Sequence, residues 1–355
     1  MIDFLVIGGG IAGVSAGAGL AALGHVVLLE RETSLAYHAS GRSAAMFDEN
    51  YGAPTVNALS QASRAGHEAA GVLSPRGVMM VSRPDEAETF ASDCAALCFE
   101  PIDVAEAKDL VPILDLTKVD RAAAHMAAQD IDTDRLIQFY AKALRAADGK
   151  IVTGTDVTKI TRTMAGWQVH ADQVYEARHV VNAAGAWADQ VAVLAGIPPI
   201  GLQPLRRSMA RIPAPADHDV SRWPMFFGPG EDWYAKPDAG ALIVSPAEED
   251  RLEPQDAWAD DMVIAEGLDR YAHYVAAPVT RVLATWAGLR TFAPDRTLIL
   301  GRAPQDPSFI WCAGQGGYGF QTAPGASRFL ADVIAGQTTG FDAEMVAALS
   351  PARFA

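Results

Sequence analysis

The chain has 355 residues, of which 28 are Lys or Arg and 43 are Asp or Glu, giving a formal net charge of −15 and a pI near 4.9. Half of the residues are hydrophobic and a fifth are charged, a composition that excludes an intrinsically disordered chain and predicts about two globular domains. The acidic balance argues against a nucleic-acid partner or an anionic membrane surface, because both bind proteins largely through Lys and Arg.

The first strong pattern lies between Phe4 and Leu29, where the only side chain able to carry charge is His25. This stretch is long enough to span a bilayer. It holds seven glycines, and no Lys or Arg precedes it, so we expect neither a transmembrane segment nor a signal peptide. Its pattern instead predicts a buried strand over 4–7, a helix over 11–23 closed by Gly24, and a second buried strand over 26–29.

The turn between the first strand and the helix reads Gly8-Gly9-Gly10-Ile11-Ala12-Gly13 and matches G-x-G-x-x-G. The first glycine permits a tight turn, the second lets a pyrophosphate approach the backbone, and the third lets helix and strand pack closely. The free N–H groups at the helix start favour phosphate. Glu30 follows the second strand and can accept a hydrogen bond from a ribose hydroxyl, while its charge disfavours the 2′-phosphate of NADP. The sequence therefore predicts a dinucleotide site.

The loop over 37–45 indicates which dinucleotide the site binds. Its segment Ser40-Gly41-Arg42-Ser43-Ala44 resembles the flavin-side segment of the D-amino-acid oxidase/dehydrogenase superfamily of FAD amine oxidoreductases. The resemblance continues along almost the whole chain. It includes a helix after 130–134 capped by Asp132 or Thr133, and a strand at 151–154. It also includes strands at 157–163, 167–171, 174–177 and 179–182, a D-x-x-P-x-I-G-like run at 295–301, a strand at 309–313 and a glycine loop at 314–319.

Longer shared strings, such as Thr285-Trp286-Ala287-Gly288-Leu289-Arg290, are most similar to the bacterial FAD-dependent D-arginine dehydrogenases. The resemblance implies an α/β fold, with a Rossmann-like FAD-binding domain and a second, α+β substrate domain built on a mixed sheet. It implies that 1–75, 127–200 and 300–355 form the discontinuous FAD-binding domain. Residues 76–126 and 201–299 are expected to form the substrate domain.

The implied cofactor is FAD, held without a covalent bond. The resemblance assigns its binding to residues in seven parts of the chain. They are Gly8, Gly10, Ile11, Ala12, Gly13, Glu30, Arg31, Ser40, Gly41, Arg42, Ser43, Ala44, Ala45, Val157, Ala184, Gly185, Trp187, Arg290, Gly316, Gly317, Tyr318 and Gly319. The start of the final helix is expected to direct its dipole towards the flavin's pyrimidine edge.

The resemblance also implies a carboxylate clamp made by Arg207 and Arg290, with Tyr51 and Tyr234 as hydroxyl donors. Such a clamp would fix the substrate's α-carbon over the flavin. Adjacent residues of a strand face opposite sides, so Arg206 is expected to be a surface charge. No histidine stands out as a base, and no metal site is predicted.

The side-chain pocket departs from the D-arginine enzymes. Val78 occupies the position at which those enzymes have an acidic residue, and Met46 occupies the position of a histidine. Phe227 replaces a smaller aliphatic residue. Met225 and Gln315 complete the predicted pocket. We therefore expect an apolar pocket. Asp48 or Glu49, on the loop before Tyr51, can still recruit a cation, although a solvated loop is the simpler interpretation.

The function implied is oxidation of the Cα–N bond of a neutral or hydrophobic D-amino acid, with an electron acceptor that the sequence does not identify. The alternatives are a glycine/sarcosine-type secondary-amine oxidase or a 2-hydroxy-acid oxidoreductase on the same fold, and more remotely a non-catalytic flavoprotein. Three cysteines, Cys94, Cys98 and Cys312, are too few for a disulfide framework and favour a reducing, cytoplasmic setting. Cys94 and Cys98 are expected to share one helix face.

Overall fold

The computed structural model describes residues 1–215 and 217–355, which form helices packed against two large sheets and one small sheet. The strands are β1 Ile2–Ile7, β2 Val26–Leu29, β3 Met46–Phe47, β4 Leu73–Pro75, β5 Val78–Ser82, β6 Glu100–Ile102, β7 Arg121–His125, β8 Gln129–Ile131, β9 Lys150–Val152, β10 Lys159–Thr163, β11 Gly166–His170, β12 Val174–Asn182, β13 Gln203–Pro213, β14 Met225–Phe227, β15 Tyr234–Asp238, β16 Ala241–Ser245, β17 Asp250–Arg251, β18 Ala284–Phe292, β19 Ile299–Arg302 and β20 Phe309–Ala313. The helices are α1 Ile11–Leu20, α2 Pro54–Ala70, α3 Ala87–Leu97, α4 Val104–Leu110, α5 Thr133–Ala146, α6 Ala188–Leu194, α7 Asp261–Ala272, α8 Gly319–Ala335 and α9 Ala343–Leu349.

The first sheet has a parallel centre, in which β1 lies between β12 and β2, β9 flanks β2, and β20 pairs with β12. Side chains of β1 alternate between its two faces, because successive residues of a strand point to opposite sides. Phe4 and Val6 pack with helices α1, α2, α5 and α8. Leu5 and Ile7 pack with α6 and the antiparallel strands β10 and β11. Coverage on both faces is typical of a doubly wound α/β domain.

The backbone is packed very closely at the turn after β1. Gly8 has a φ of +110°, and a Cβ there would lie 2.4 Å from the carbonyl oxygen of Ala183. A Cβ on Gly13 would lie 1.9 Å from the Gly8 oxygen, so only glycine lets α1 approach β1 this closely. The predicted strands and helix of this unit are confirmed, although α1 ends at Leu20 rather than Leu23.

The second large sheet runs β17-β13-β16-β15-β14-β5-β7-β6, with β18 paired along β13. A small third sheet consists of β3, β8 and β4, with β8 in the middle and both pairs antiparallel. The fold is thus the expected combination of a Rossmann-like unit with a mixed-sheet unit. The proposed boundaries of the two domains stay a prediction.

Local predictions differ from the structure at two further points. The strands expected at 174–177 and 179–182 are one continuous strand, β12, because it pairs antiparallel with β11 in its first half and parallel with β1 further along. Cys98 does not share a helix face with Cys94, since α3 ends at Leu97 and Cys98 takes the left-handed conformation at the C-cap, with a φ of +55°. The cap of α5 is confirmed: the Asp132 carboxylate accepts a hydrogen bond from the Arg135 N–H.

Within residues 1–215 and 217–355, no helix combines the length and the apolar character needed to cross a membrane. The apolar stretch near the N-terminus is divided between β1, α1 and β2.

The three cysteines differ in exposure, and this difference can be measured. Cys98 is exposed and Cys94 half-buried, whereas Cys312 is buried and burial raises its pKa to about 12. We expect iodoacetamide at pH 8 to label Cys98 first and Cys312 only after unfolding, as read by peptide mass mapping. Rapid native labelling of Cys312 would contradict this placement of β20.

Candidate active site

Three cavities form one cleft between the carboxyl edge of the first sheet and the face of the second. Their volumes are about 300, 130 and 110 Å³, and we call them the first, second and third cavity. The first and second share Gly10, Ser40 and Arg42 among their lining residues. The second and third share Arg207 and Arg290. A ligand that occupies the first two cavities would therefore contact a smaller molecule in the third.

The first cavity lies over the glycine turn and the N-terminus of α1. Gly10, at the N-cap, supplies no side-chain cap, so free N–H groups at the helix start are available to an anion. Within the described residues, Ile11 is the one residue of this first turn whose N–H is satisfied, by the Ser40 hydroxyl oxygen at 3.0 Å. The predicted residues lining this cavity are Gly8, Gly10, Glu30, Arg31, Ser40, Arg42, Val157, Ala184, Gly185 and Trp187.

Glu30 stands at the end of β2, as expected. Its two carboxylate oxygens accept hydrogen bonds from the Gly9 N–H at 2.6 Å and the Glu32 N–H at 2.7 Å. A carboxylate has about four lone-pair sites, so Glu30 keeps acceptor capacity for a ribose hydroxyl. The geometry of this cavity fits the adenosine and pyrophosphate of a dinucleotide.

The second cavity is a slot walled largely by backbone. Gly288 of β18 and the loop glycines Gly316 and Gly317 leave the space free of side chains; a Cβ on Gly317 would approach the Arg290 guanidinium to 3.1 Å. Gly316 has a φ of +53°, which favours glycine, and a Cβ there would lie 2.3 Å from the Phe292 ring. Such a slot next to the N-terminus of α8 fits a planar ring system. Its predicted residues are Gly10, Ile11, Ala12, Ser40, Arg42, Ser43, Gly185, Arg290, Gln315, Gly316, Gly317 and Gly319.

The third cavity brings together all four residues predicted for catalysis and most of the predicted pocket. The predicted residues that line it are Ser43, Ala44, Ala45, Met46, Tyr51, Val78, Arg207, Met225, Phe227, Tyr234, Arg290 and Gly317.

The register of β13 and β18 places both arginines on one face. Arg207 lies directly opposite Gly288, and Arg290 is two residues further along β18. Residues two apart on a strand share a face, so the two guanidinium groups converge on the same side of the sheet. Gly288 lies opposite Arg207 and has no side chain, which leaves room for the second cavity.

Arg207 is only 8% exposed. Burial, and then the charge of Arg290, lower the pKa of Arg207 from its ordinary value, although an arginine stays protonated near neutral pH. Its charge is partly balanced by Glu249, whose Oε1 lies 3.3 Å from Nη2 and also binds Arg296 at 2.9 Å. The Arg207 Nε is buried without a hydrogen-bond acceptor among the described residues.

Other donors around the third cavity also lack partners. In the described part of the chain, neither a hydrogen bond nor an ion pair involves the Arg290 guanidinium, and the buried Tyr234 hydroxyl has no partner. The Tyr51 hydroxyl donates to Glu231 Oε2 at 2.9 Å, and burial raises the pKa of Tyr51. The Arg290 guanidinium, the Arg207 Nε and the Tyr234 hydroxyl therefore define a site for an anion, because donors left without acceptors in a partly buried site are costly.

The remaining wall of the third cavity is mostly apolar. Leu97 and Phe99 join the four predicted apolar residues there, and the Phe99 ring packs edge-on against Phe227. Asp48 interrupts this wall: its side chain is buried and accepts a hydrogen bond from the Asn50 N–H at 2.9 Å. Glu49 is directed elsewhere and pairs with Arg64 at 2.8 Å. Of these two adjacent acidic residues, Asp48 therefore faces the cavity and Glu49 does not.

Some predicted residues lie outside the expected cavities. Gly13 and Gly41 line none of the three and are instead close-contact glycines, and Tyr318 packs between the rings of Tyr51 and Phe292. Gln315 lines the second cavity rather than the third. Ala44 and Ala45 line the third cavity, not the second.

The expectation that Arg206 is a surface charge is wrong. Arg206 is 8% exposed and pairs with Asp250 at 2.7 Å and Glu248 at 3.5 Å, on the face of β13 opposite to Arg207. The alternation of the strand was predicted correctly, but the loop before β17 covers this outer face.

Sequence reasoning missed Glu231, Leu97 and Phe99. Glu231 lies in the turn Gly228-Pro229-Gly230-Glu231, only three residues before Tyr234, and this proximity was an available signal. Leu97 and Phe99 reach the cavity only because α3 packs over β5, which no local pattern indicates.

A dinucleotide cleft that continues through a planar slot into a small anion-binding cavity defines a nucleotide-dependent oxidoreductase. The family model described as DAO, FAD dependent oxidoreductase, matches residues 3–333, and the chain belongs to this family. Its cofactor is FAD, and the first two cavities fit that molecule.

The relatives are distant in sequence and close in fold. The chain is 27% identical to the tRNA 5-methylaminomethyl-2-thiouridine biosynthesis bifunctional protein MnmC of Thiobacillus denitrificans, over 99% of its own length but only 59% of that protein. Glycine oxidase from Geobacillus kaustophilus superposes with a TM-score of 0.83 at 21% identity, covering 98% of both chains. L-Proline dehydrogenase from P. horikoshii superposes with a TM-score of 0.81 at 22% identity, covering 95% of this chain and 94% of the dehydrogenase chain. At these identities the structures show the fold alone.

Gly10 and Gly13 have separable roles in the turn, which substitution can test. Gly10→Val should fold and lose FAD, because its Cβ would meet only the Ser40 hydroxyl, at 3.1 Å, while its side chain would enter the first cavity. Gly13→Val should not fold, since its Cβ would overlap the Gly8 oxygen. Flavin absorbance after gel filtration and the far-UV CD melt measure the two effects. Full FAD occupancy in Gly10→Val would contradict the assignment of this cavity.

Proposed function

We propose that the chain oxidises the Cα–N bond of a D-amino acid with a neutral or hydrophobic side chain. The Cα–H bond breaks, its electron pair leaves as hydride, and the nitrogen lone pair forms the C=N bond of the imino acid. Water then hydrolyses the imino acid to the 2-oxo acid and ammonia. Bound FAD supplies the two-electron acceptor, at flavin N5.

The observation that carries this proposal is the set of unpartnered donors in the third cavity. A substrate carboxylate would supply the acceptors that Arg290, the Arg207 Nε and the Tyr234 hydroxyl lack. Charged bidentate hydrogen bonds would hold the α-carbon at the opening to the second cavity. A non-catalytic flavoprotein has no need of such a clamp.

The same two arginines also favour the reactive form of the amine. Hydride can leave only when the nitrogen lone pair is free, so the substrate must react as the neutral amine. Two nearby positive charges and partial burial both lower the pKa of a bound ammonium group. The site therefore promotes loss of the amine proton to solvent without a dedicated histidine base.

The side-chain preference rests on the apolar wall. Met46, Val78, Met225 and Phe227 would accommodate an aliphatic or thioether chain, whereas an apolar wall cannot satisfy a guanidinium. Asp48 favours a second candidate, a side chain that ends in a cation, because its buried carboxylate lines this wall. That candidate would agree with the resemblance to D-arginine dehydrogenases.

Two further alternatives share the clamp and differ only at the reacting atom. A secondary amine such as sarcosine, or a 2-hydroxy acid, would present the same carboxylate to Arg207 and Arg290. Anaerobic mixing with D-amino acids, L-amino acids, glycine, sarcosine and 2-hydroxy acids, followed by flavin bleaching, separates these alternatives. The fastest flavin bleaching with D-amino acids would support the proposal. If none of the tested compounds bleaches the flavin, the hypothesis of a non-catalytic flavoprotein is favoured.

Arg290→Met tests the clamp. Loss of a charged hydrogen-bonding partner typically costs about 1.5–3 kcal/mol. We therefore expect a decrease of roughly 10- to 150-fold in the specificity constant for the best substrate. Anaerobic stopped-flow reduction measures it, with the midpoint of thermal unfolding as the folding check.

The matched control is Arg178→Met, which removes a mostly exposed arginine of β12 that pairs with Asp3 far from the clamp. This variant should retain parental reduction kinetics. If the flavin of Arg290→Met were also reduced at a rate within twofold of the parental rate, Arg290 would not belong to the substrate site.

The side-chain preference is tested with D-leucine and D-arginine. We expect the specificity constant for D-leucine to exceed that for D-arginine, because an uncompensated buried charge is strongly disfavoured. Val78→Glu, which restores the acidic position of the D-arginine enzymes, should increase activity towards D-arginine.

Asp48→Asn and Glu49→Gln form a matched pair of adjacent neutralising substitutions, since only Asp48 faces the third cavity. Asp48→Asn should leave turnover of D-leucine within about twofold and abolish the residual turnover of D-arginine, and Glu49→Gln should change neither. A parental preference for D-arginine that disappears in Asp48→Asn alone would establish the cationic candidate instead.

A further inference from the structure

A buried charge cluster lies beside the active site without lining any of its three cavities. Lys236 of β15 is 8% exposed, and its Nζ lies 2.7 Å from Oδ1 of Asp130. The other Asp130 oxygen binds the Arg76 Nε at 2.7 Å. Arg76 also donates to the carbonyl oxygens of Ser221 and Trp223, each at 2.8 Å. Two cations thus share one carboxylate, and the clamp described above uses none of them.

Lys236 also reaches the segment that separates the second and third cavities. Its ammonium donates to the Ala44 carbonyl oxygen at 2.9 Å and to the Ala45 carbonyl oxygen at 3.4 Å. Nearby, the Trp286 indole N–H donates to the Arg42 carbonyl oxygen at 3.2 Å. Side chains of the second sheet therefore hold three carbonyl groups of the 42–45 segment.

These contacts fix the direction of the N–H groups as well. In a trans peptide the C=O and the following N–H point in opposite directions. The Ser43 N–H must therefore point away from Trp286, and the Ala45 N–H away from Lys236. Neither N–H donates to any of the described residues. Ser43 lines the second and third cavities and Ala45 the third, so two backbone donors remain at this wall.

We propose that Lys236 is a positioning residue for the flavin: by holding the Ala44 and Ala45 carbonyls, it fixes the 43–45 segment at the junction of the second and third cavities and, together with Trp286, keeps the Ser43 N–H directed at the ring system in the second cavity. Donors and a nearby buried cation stabilise the electron density that a flavin ring gains on reduction. Lys236 thereby raises the reduction potential of bound FAD. The inference depends on the family's cofactor and not on the identity of the substrate.

The test compares Lys236→Met with Arg76→Met in the FAD-loaded protein. Both remove a cation from the same cluster, but only Lys236 contacts the 44–45 carbonyls. We expect Lys236→Met to lower the equilibrium constant for flavin reduction at least tenfold, which corresponds to a decrease of about 30 mV in the two-electron midpoint potential. Arg76→Met should keep the parental potential, and Lys236→Arg, which retains a charged donor, should recover part of the shift. The potential is measured by equilibration with a reference dye and a chemical reductant, without amino acid.

A purely structural role gives a different result. Lys236→Met and Arg76→Met would then lower the unfolding midpoint alike and leave the potential of both variants unchanged, which would overturn the proposal. If Lys236→Met does not fold, Trp286→Phe decides, because it frees the Arg42 carbonyl and the Ser43 N–H without removing a charge. A lowered potential in Trp286→Phe supports a segment held for the flavin, and an unchanged one contradicts it. Because no amino acid is present, the outcome is independent of the substrate proposed above.

Discussion

The approach of the Gly13 α-carbon to the Gly8 carbonyl oxygen determines where the whole cleft lies. A Cβ on Gly13 would stand 1.9 Å from that oxygen, so the contact exists only because Gly13 carries no side chain. It brings the N-terminus of α1 to the carboxyl edge of the first sheet, next to the ends of β2 and β12. The open end of this helix and the acceptor on Glu30 then face the same space, and the first cavity follows from that arrangement.

The second sheet adds the chemistry to this nucleotide site. Its long strands β13 and β18 run antiparallel for nine residue pairs, and their register places two guanidinium groups on one face, with a glycine between them. Two like charges in a half-buried space repel each other, and Glu249 forms a direct ion pair with Arg207 but not with Arg290. The protein carries this cost at the cleft, where a substrate carboxylate would remove it. Strain or unpaired charge retained at such a position is typical of a functional site.

The segment from 42 to 46 connects the two halves of the cleft. Its carbonyl groups are held by Lys236 and Trp286, and its residues face the second and third cavities in turn. Its last residue, Met46, begins β3, which pairs with β8, and Asp130 of β8 is the carboxylate that binds Lys236. One short stretch of backbone thus joins the flavin side, the substrate side and the buried charge cluster.

The sequence alone determined the elements whose signals are local. The glycine spacing, the run of apolar residues in β1 and β2, and Glu30 at the end of β2 predicted the dinucleotide site, because each depends on neighbours within about thirty residues of chain. The resemblance added the residues that meet at the third cavity, and the structure brings Arg207, Arg290, Tyr51 and Tyr234 together there. Only the tertiary structure decided which of Asp48 and Glu49 faces that cavity, since the two are adjacent and differ only in where the turn after β3 directs them. It also decided that Arg206 is buried, because the covering carboxylates Glu248 and Asp250 approach from more than forty residues along the chain, and such distant pairing leaves no local pattern.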